Sequence, residues 1–228
     1  MYSHNTKFLL FLLFCFLQNN VTYAYQGCDT TNFTNAYGPF DYTNKPEYIK
    51  NVRIVEAYHF SEDYERIIIN NNGNDLLPRN IMKDLDYTLR ACPNHHRALY
   101  AVASYMTFLK KRKTDKYNWL LKKYRTPECY FERAAAYSKK DYKPYLIYGM
   151  HLYKKGEIKE SIKMLNKSLS RTKEEHTNYS ELYYTLGLVY LKDKKYDDSL
   201  KYAKKAYALG YPFPFLKKKL TEMGKWKN

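Results

Sequence analysis

The sequence predicts an all-α solenoid: helix-turn-helix pairs stacked side by side, preceded by an irregular N-terminal segment and closed by a C-terminal capping helix. Three observations predict it. From Pro78 onwards apolar residues recur at three- and four-residue steps, which places them on one face of a helix. Two segments whose glycines lie 38 residues apart share one spacing pattern. Gly and Pro are sparse, at eight each in 228 residues, while apolar residues make up 45 % of the chain and aromatics 18 %, enough to bury a core.

The chain opens with a targeting pattern. Lys7 precedes the unbroken apolar run Phe8 to Leu17. That run is shorter than the roughly 20 residues a membrane-spanning helix needs. Gln18, Asn19 and Asn20 form a polar end, and Thr22-Tyr23-Ala24 places small residues at the two positions that specify cleavage. Residues 1–24 are therefore read as a signal peptide cut after Ala24, with an uncleaved anchor as the alternative. The protein is expected in the periplasm or outside the cell. A lipid-modified Cys28 fits poorly, because Tyr25 stands where an aliphatic residue is wanted. Export leaves Cys28, Cys92 and Cys129 in an oxidising compartment. One disulfide and one free thiol is the simplest outcome. Cys28–Cys129 and Cys92–Cys129 both remain open, as do three lone thiols packed as small apolar groups.

Residues 25–80 read as irregular. Gly38-Pro39 signals a turn, Lys45-Pro46 interrupts any continuous helix, Val52 to Phe60 suits a short strand or helix, and Asn70 to Asn74 a loop. Ile81 to Ala91 is a helix that ends before Pro93. Leu99, Val102, Ala103 and Met106 open a degenerate pair, which Phe131 and Ala134 close after an insertion spanning Lys110 to Tyr124.

The two sharp pairs fall at 142–175 and 180–213. In the first, Tyr145, Tyr148, Gly149 and Leu152 precede a turn at Gly156, followed by Ile158, Ser161, Leu165 and Ser168. In the second, Tyr183, Leu186, Gly187 and Tyr190 precede a turn at Lys194, followed by Tyr196, Ser199, Ala203 and Ala206. A glycine inside a helix costs about 1 kcal/mol relative to alanine. Its recurrence at one register points to helices that cross without room for a side chain. The additional residues of the first pair fall near Glu174–Thr177. Tyr211-Pro212-Phe213-Pro214 then breaks the chain, and Phe215 to Gly224 forms the capping helix, with Phe215, Leu216, Leu220 and Met223 expected to face inward.

Repeats of this layout resemble the tetratricopeptide family, and the resemblance covers residues 81–228. Asp86-Tyr87-Thr88-Leu89-Arg90, Pro93-Asn94-His95-His96-Arg97, Glu128-Cys129-Tyr130-Phe131 and the tail Gly224-Lys225-Trp226 also look like exported tetratricopeptide proteins of proteobacteria. The resemblance implies stacked helices and export, and it implies no catalytic chemistry. It also implies a concave groove lined by first helices. The family's groove-facing positions fall here on Arg97, Tyr100, Ser104, Lys143, Leu146 and Met150, and further along on Tyr153, Lys154, Glu181, Tyr184, Leu188 and Lys192. Aromatic and aliphatic contacts flanked by ammonium groups suit an extended protein or peptide ligand with apolar side chains and carboxylates. The same face could instead hold the chain's own Tyr37 to Tyr42 segment.

The formal net charge is +16, and loss of residues 1–24 removes Lys7 and no acid, leaving +15. The insertion concentrates this charge: Lys110, Lys111, Arg112, Lys113, Lys116, Lys122, Lys123 and Arg125 stand against Asp115 alone, around Trp119. Residues 110–125 suit either an anionic membrane surface or a solvated face. Export argues against nucleic acid as a partner. His95 and His96 are adjacent and so diverge by about 100° on a helix, which argues against one shared metal ion; with Asn94 as cap they occupy the first turns of a helix. Neither a metal-ligand spacing, a cofactor loop nor a nucleophile motif is present, and Asp197-Asp198 falls at an expected turn. The predicted function is a non-enzymatic interaction module without cofactor; the rival reading is an envelope or cell-wall enzyme with its site near His95.

Overall fold

The computed structural model describes residues 28–61, 81–113, 115–172 and 178–226. The expected signal peptide and cleavage site, the start at Pro78, the Asn70 to Asn74 loop and the insertion at Glu174–Thr177 lie outside the described residues.

Among the described residues the regular structure is entirely helical. Helix α1 comprises Lys45–Glu47, a π-helical turn Tyr48–Val52 and Arg53–His59. Then follow α2 (Ile81–Ala91), α3 (His96–Lys111), α4 (Asp115–Lys123) and α5 (Pro127–Tyr137). The two sharp pairs are α6 (Lys143–Lys155) with α7 (Ile158–Leu169) and α8 (Ser180–Lys192) with α9 (Tyr196–Ala208), and α10 (Phe215–Glu222) ends the stack. The first helices α3, α6 and α8 touch in succession, and each pair leans on the next through α5 against α6 and α7 against α8. No helix of the described residues is long and apolar enough to cross a membrane.

One expectation about local structure needs correction. The segment before residue 81 is not irregular throughout, because Pro46 sits in the first turn of α1, where its missing N–H costs nothing. The inserted residues of the degenerate pair extend α3 to Lys111 and then form α4. Leu120 is buried and Tyr117, Leu121 and Tyr124 pack against the core, so one face of that short helix is anchored.

The glycines do in the structure what their register implies. A Cβ on Gly149 would lie 2.6 Å from Leu165 Cγ, and one on Gly187 would lie 2.5 Å from Leu216 Cδ2. Small residues on the second helices exploit the approach: the Ser161 hydroxyl donates to the Gly149 carbonyl at 2.7 Å, and the Ser199 hydroxyl donates to the Gly187 carbonyl at 2.8 Å. Each bond closes a buried seam that would otherwise strand a hydroxyl. The turns match as well. Gly156 (φ +83°) and Lys194 (φ +62°) both adopt the left-handed conformation that ends a helix, although only the first is glycine.

Residues 28–44 form a strap over the outside of the early helices. Cys28 is joined to Cys129 in α5, and Cys92 is a free, buried thiol. Arg133 donates to the carbonyls of Asp29 and Asn32 and lies 4.7 Å over the Phe33 ring. Gly38 passes so close to α2 that a Cβ there would meet the Ala91 carbonyl oxygen at 2.5 Å, and the Phe40 N–H donates to the same carbonyl at 2.8 Å. Tyr37, Phe40 and Tyr42 then pack on a small core of Val52, Val55, Ala91 and Cys92. The strap therefore runs from α5 to the junction of α1 with the end of α2.

The capping helix buries Leu216 and Leu220 completely. Phe215 and Met223, expected to face inward, are 52 % and 42 % exposed. The eight-residue helix has a single row facing α8 and α9, and positions 215 and 223 fall outside it. Asp197 and Asp198 lie not in a turn but in the first turn of α9, where carboxylates complement the helix dipole.

Candidate functional site

Two contiguous hollows run along the exposed side of α3 and α6. One, of about 350 Å³, lies between Tyr100, Ser104 and Phe108 of α3 and Met150, His151 and Lys154 of α6. The other, of about 310 Å³, continues past Arg97 and Leu146 to Lys143 and Glu181. Tyr100, Ile147 and Met150 line both, so the hollows form one trough. Its position follows from helical register, since Tyr100, Ser104, Phe108 and Lys111 lie at three- and four-residue steps, as do Lys143, Ile147, Met150 and Lys154.

Of the twelve residues expected to line the groove, Arg97, Tyr100, Ser104, Lys143, Leu146, Met150, Lys154 and Glu181 border this trough. Leu146 does so as its fully buried floor. The other four fall elsewhere. Tyr184 is only 7 % exposed, because Tyr211 stacks on it with ring centroids 4.1 Å apart. Leu188 packs into the same cap cluster, Tyr153 is half-buried against the α6–α8 core, and Lys192 is solvent-exposed. The open trough thus ends at Lys143 and Glu181, and beyond them the chain's own Tyr211 covers Tyr184. Reading the stripe by its period rather than by family position would have added Phe108, Ile147 and Lys111.

The ammonium groups differ in what they can still bind. Lys143 pairs with Glu181 across the trough. Burial pulls the Lys143 pKa down, but the hydrogen bond and charge of Glu181 outweigh this and raise it. Arg97 meets Glu56 at 3.4 Å and lies over the Phe60 ring. Lys154 donates to the Tyr100 hydroxyl at 2.8 Å and sits 4.7 Å from its ring centre. No carboxylate among the described residues pairs with Lys154, so its charge faces the trough with a neutral partner. His151 lines the wall while its Nε2 lies 3.2 Å from Glu128. Burial acts to raise the Glu128 pKa, yet His151 and Lys155 hold it well below the usual range.

The own-segment alternative is also decided by geometry. Tyr42 reaches only the end of the trough, beside His96 and Arg97, while Tyr37 and Phe40 pack on α1 and the end of α2 and residues 28–33 lie on α5. The Tyr42 ring packs against both histidines, tilted at 4.3 Å from His95 and edge-to-face at 4.9 Å from His96.

The histidine corner is knitted rather than open. His95, not Asn94, caps α3: its Nδ1 accepts from the Ala98 N–H at 3.1 Å. Its Nε2 lies 3.0 Å from Glu56, so both ring nitrogens are engaged in a fully buried side chain. Burial lowers the His95 pKa, opposed by the Glu56 hydrogen bond. Asn94 instead accepts from the Tyr42 N–H and donates to Asp41 and Asp141, tying strap, α3 and the α5–α6 turn together. His96 bonds Asp141 at 2.6 Å, whereas His59 bonds Asp84 at 3.0 Å. Among the described residues no three His, Cys, Asp or Glu side chains converge as a metal site would require.

Comparison with known proteins bears on the helical pairs. No curated protein and no solved structure matches the chain. Residues 142–210, which span the two sharp pairs α6–α7 and α8–α9, match the family model of the tetratricopeptide repeat.

Proposed function

We propose that this chain is an exported interaction module, periplasmic or secreted, that holds an extended segment of a partner protein in the trough between α3 and α6. The observation that carries the reading is the trough itself. Two hollows share Tyr100, Ile147 and Met150 along the first helices of neighbouring pairs, with apolar walls and the Lys154 ammonium at the rim. Such a shape suits alternating apolar side chains of an extended peptide, with a carboxylate near Lys154. The tetratricopeptide match at 142–210 supports a protein ligand. The Cys28–Cys129 disulfide and the apolar run Phe8 to Leu17 support export.

The test is a peptide-library selection on residues 25–228, followed by titration of the selected peptide. Tyr100→Ala and Met150→Lys are each expected to weaken binding about tenfold or more, equivalent to about 1.4 kcal/mol, while Lys192→Ala leaves it unchanged. A selected peptide that binds the Tyr100→Ala/Met150→Lys double variant as tightly as the parent would sink the trough as its site. Loss of binding in His96→Ala with the trough variants unaffected would move the site to the histidine corner.

A further inference from the structure

A second surface lies beside the trough and shares only Lys111 with it. The last turn of α3 exposes Lys110 and Lys111, the turn after it Arg112 and Lys113, and the outward face of α4 exposes Lys116, Lys122 and Lys123. At the centre of that face Trp119 is 54 % exposed, with Lys123 Nζ 5.0 Å from its ring centre. The opposite face of α4 is fixed, because Leu120 is buried and Tyr117, Leu121 and Tyr124 pack on the core. The helix cannot roll to hide its tryptophan without uncovering Leu120.

We propose that α4 and the preceding turn dock the protein on an anionic lipid bilayer. Two chemical demands select this partner. Seven exposed cations on consecutive turns, with Asp115 the single acid among them, call for a dense plane of negative charge. The outward indole calls for an interface that accepts an aromatic ring with one polar edge, as the headgroup region does. A double-stranded polyanion meets the first demand and leaves the second unmet. Burial of the inner face orients the outer one, so Trp119 and its flanking lysines meet a surface together, as the two faces of an interfacial helix do. Lys111 belongs both to this surface and to the trough wall. The α3 end of the trough therefore opens beside the bilayer, where a membrane-tethered ligand would present its chain. The docking itself does not depend on what the trough holds.

The chain has two tryptophans, and Trp226 packs against Tyr207. Residues 25–228 carrying Trp226→Phe therefore report on Trp119 alone. Vesicles of phosphatidylglycerol and phosphatidylcholine in equal parts are expected to shift its emission to the blue, to quench it when the acyl chains are brominated, and to sediment the protein. Raising the salt releases it. Replacing Lys110, Lys111, Lys113 and Lys116 by Gln removes four charges, each worth roughly fivefold in partitioning, so binding falls at least a hundredfold while the melting curve stays in place. Trp119→Ala weakens binding and leaves its salt dependence intact. Equal binding to pure phosphatidylcholine vesicles, or no binding to the anionic ones, overturns the proposal. So does salt-sensitive binding with unshifted Trp119 emission that heparin or a DNA duplex abolishes, an outcome that assigns the patch to a soluble polyanion.

Discussion

Gly149→Ala is the substitution that most directly tests how the pairs are held. An ordinary glycine inside a helix gains about 1 kcal/mol on replacement by alanine. Here the added Cβ would lie 2.6 Å from Leu165 Cγ and 2.7 Å from Leu165 Cδ2, with the Ser161 carbonyl oxygen at 3.4 Å. Leu165 is fully buried, and the nearest contact is its branch carbon rather than a methyl tip, so rotation of χ2 alone does not relieve it. Overpacking of this kind costs about 1–3 kcal/mol. Taking the upper part of that range, a net loss of about 1–2 kcal/mol follows, or a melting temperature lower by about 2–8 °C at roughly 2–4 °C per kcal/mol. In a Leu165→Ala background the colliding atoms are gone, and the same Gly149→Ala change is expected to become stabilising, since only the helix-propensity gain and some refilled space remain. Gly187→Ala is expected to cost less, because its 2.5 Å contact is Leu216 Cδ2, the tip of a side chain on the cap helix. Thermal unfolding followed by circular dichroism, with the disulfide intact, compares the four variants with the parent. A Gly149→Ala variant that melts above the parent in both backgrounds would refute close helix crossing as the reason for that glycine.

Three further predictions follow from other parts of the structure. Cys28→Ser opens a loop spanning 101 residues and is expected to cost about 4–5 kcal/mol by loop entropy; the melting temperature of the parent should fall to that of the variant on reduction, and an unchanged one would show that the strap holds without its bond. The His95 pKa is lowered by burial, so the unfolded chain takes up a proton near the ordinary value of 6.5 before the native state does; the contribution is complete above 6.5 and is lost as the pH falls below it. Urea midpoints should drop between pH 7.5 and pH 5.5, and His95→Asn, which keeps a capping acceptor, should flatten that slope. Lys194→Gly relieves a left-handed lysine at φ +62°, a gain of roughly 1 kcal/mol offset by the entropy of the unfolded glycine; the melting temperature should rise by about 1–2 °C, and a fall would mean that the lysine side chain contributes at the turn.

The helical pairs were legible in the sequence because their signals are local. Apolar steps of three and four residues, the glycine of each first helix and the serine twelve residues later all lie within one hairpin, and Gly149–Ser161 and Gly187–Ser199 close as that pattern implies. What covers a helix face once the pairs are stacked is a different matter, decided by segments far away in the chain. Tyr184 and Tyr100 read alike in sequence, yet Tyr211 lies on the first while the second stays open to the trough. Cys129 had two candidate partners in the sequence, Cys28 and Cys92, and only the course of the strap along α5 joins it to Cys28. Asn94 and His95 both carry capping acceptors, and the choice fell to His95 because Asn94 is taken up by Tyr42, Asp41 and Asp141, residues about 50 positions away on either side. The sequence alone determined which residues share a helix face and where neighbouring backbones approach, since both follow from the 3.6-residue period. Only the tertiary structure decided which of those faces meets water, because burial belongs to the pair of surfaces in contact and not to either one.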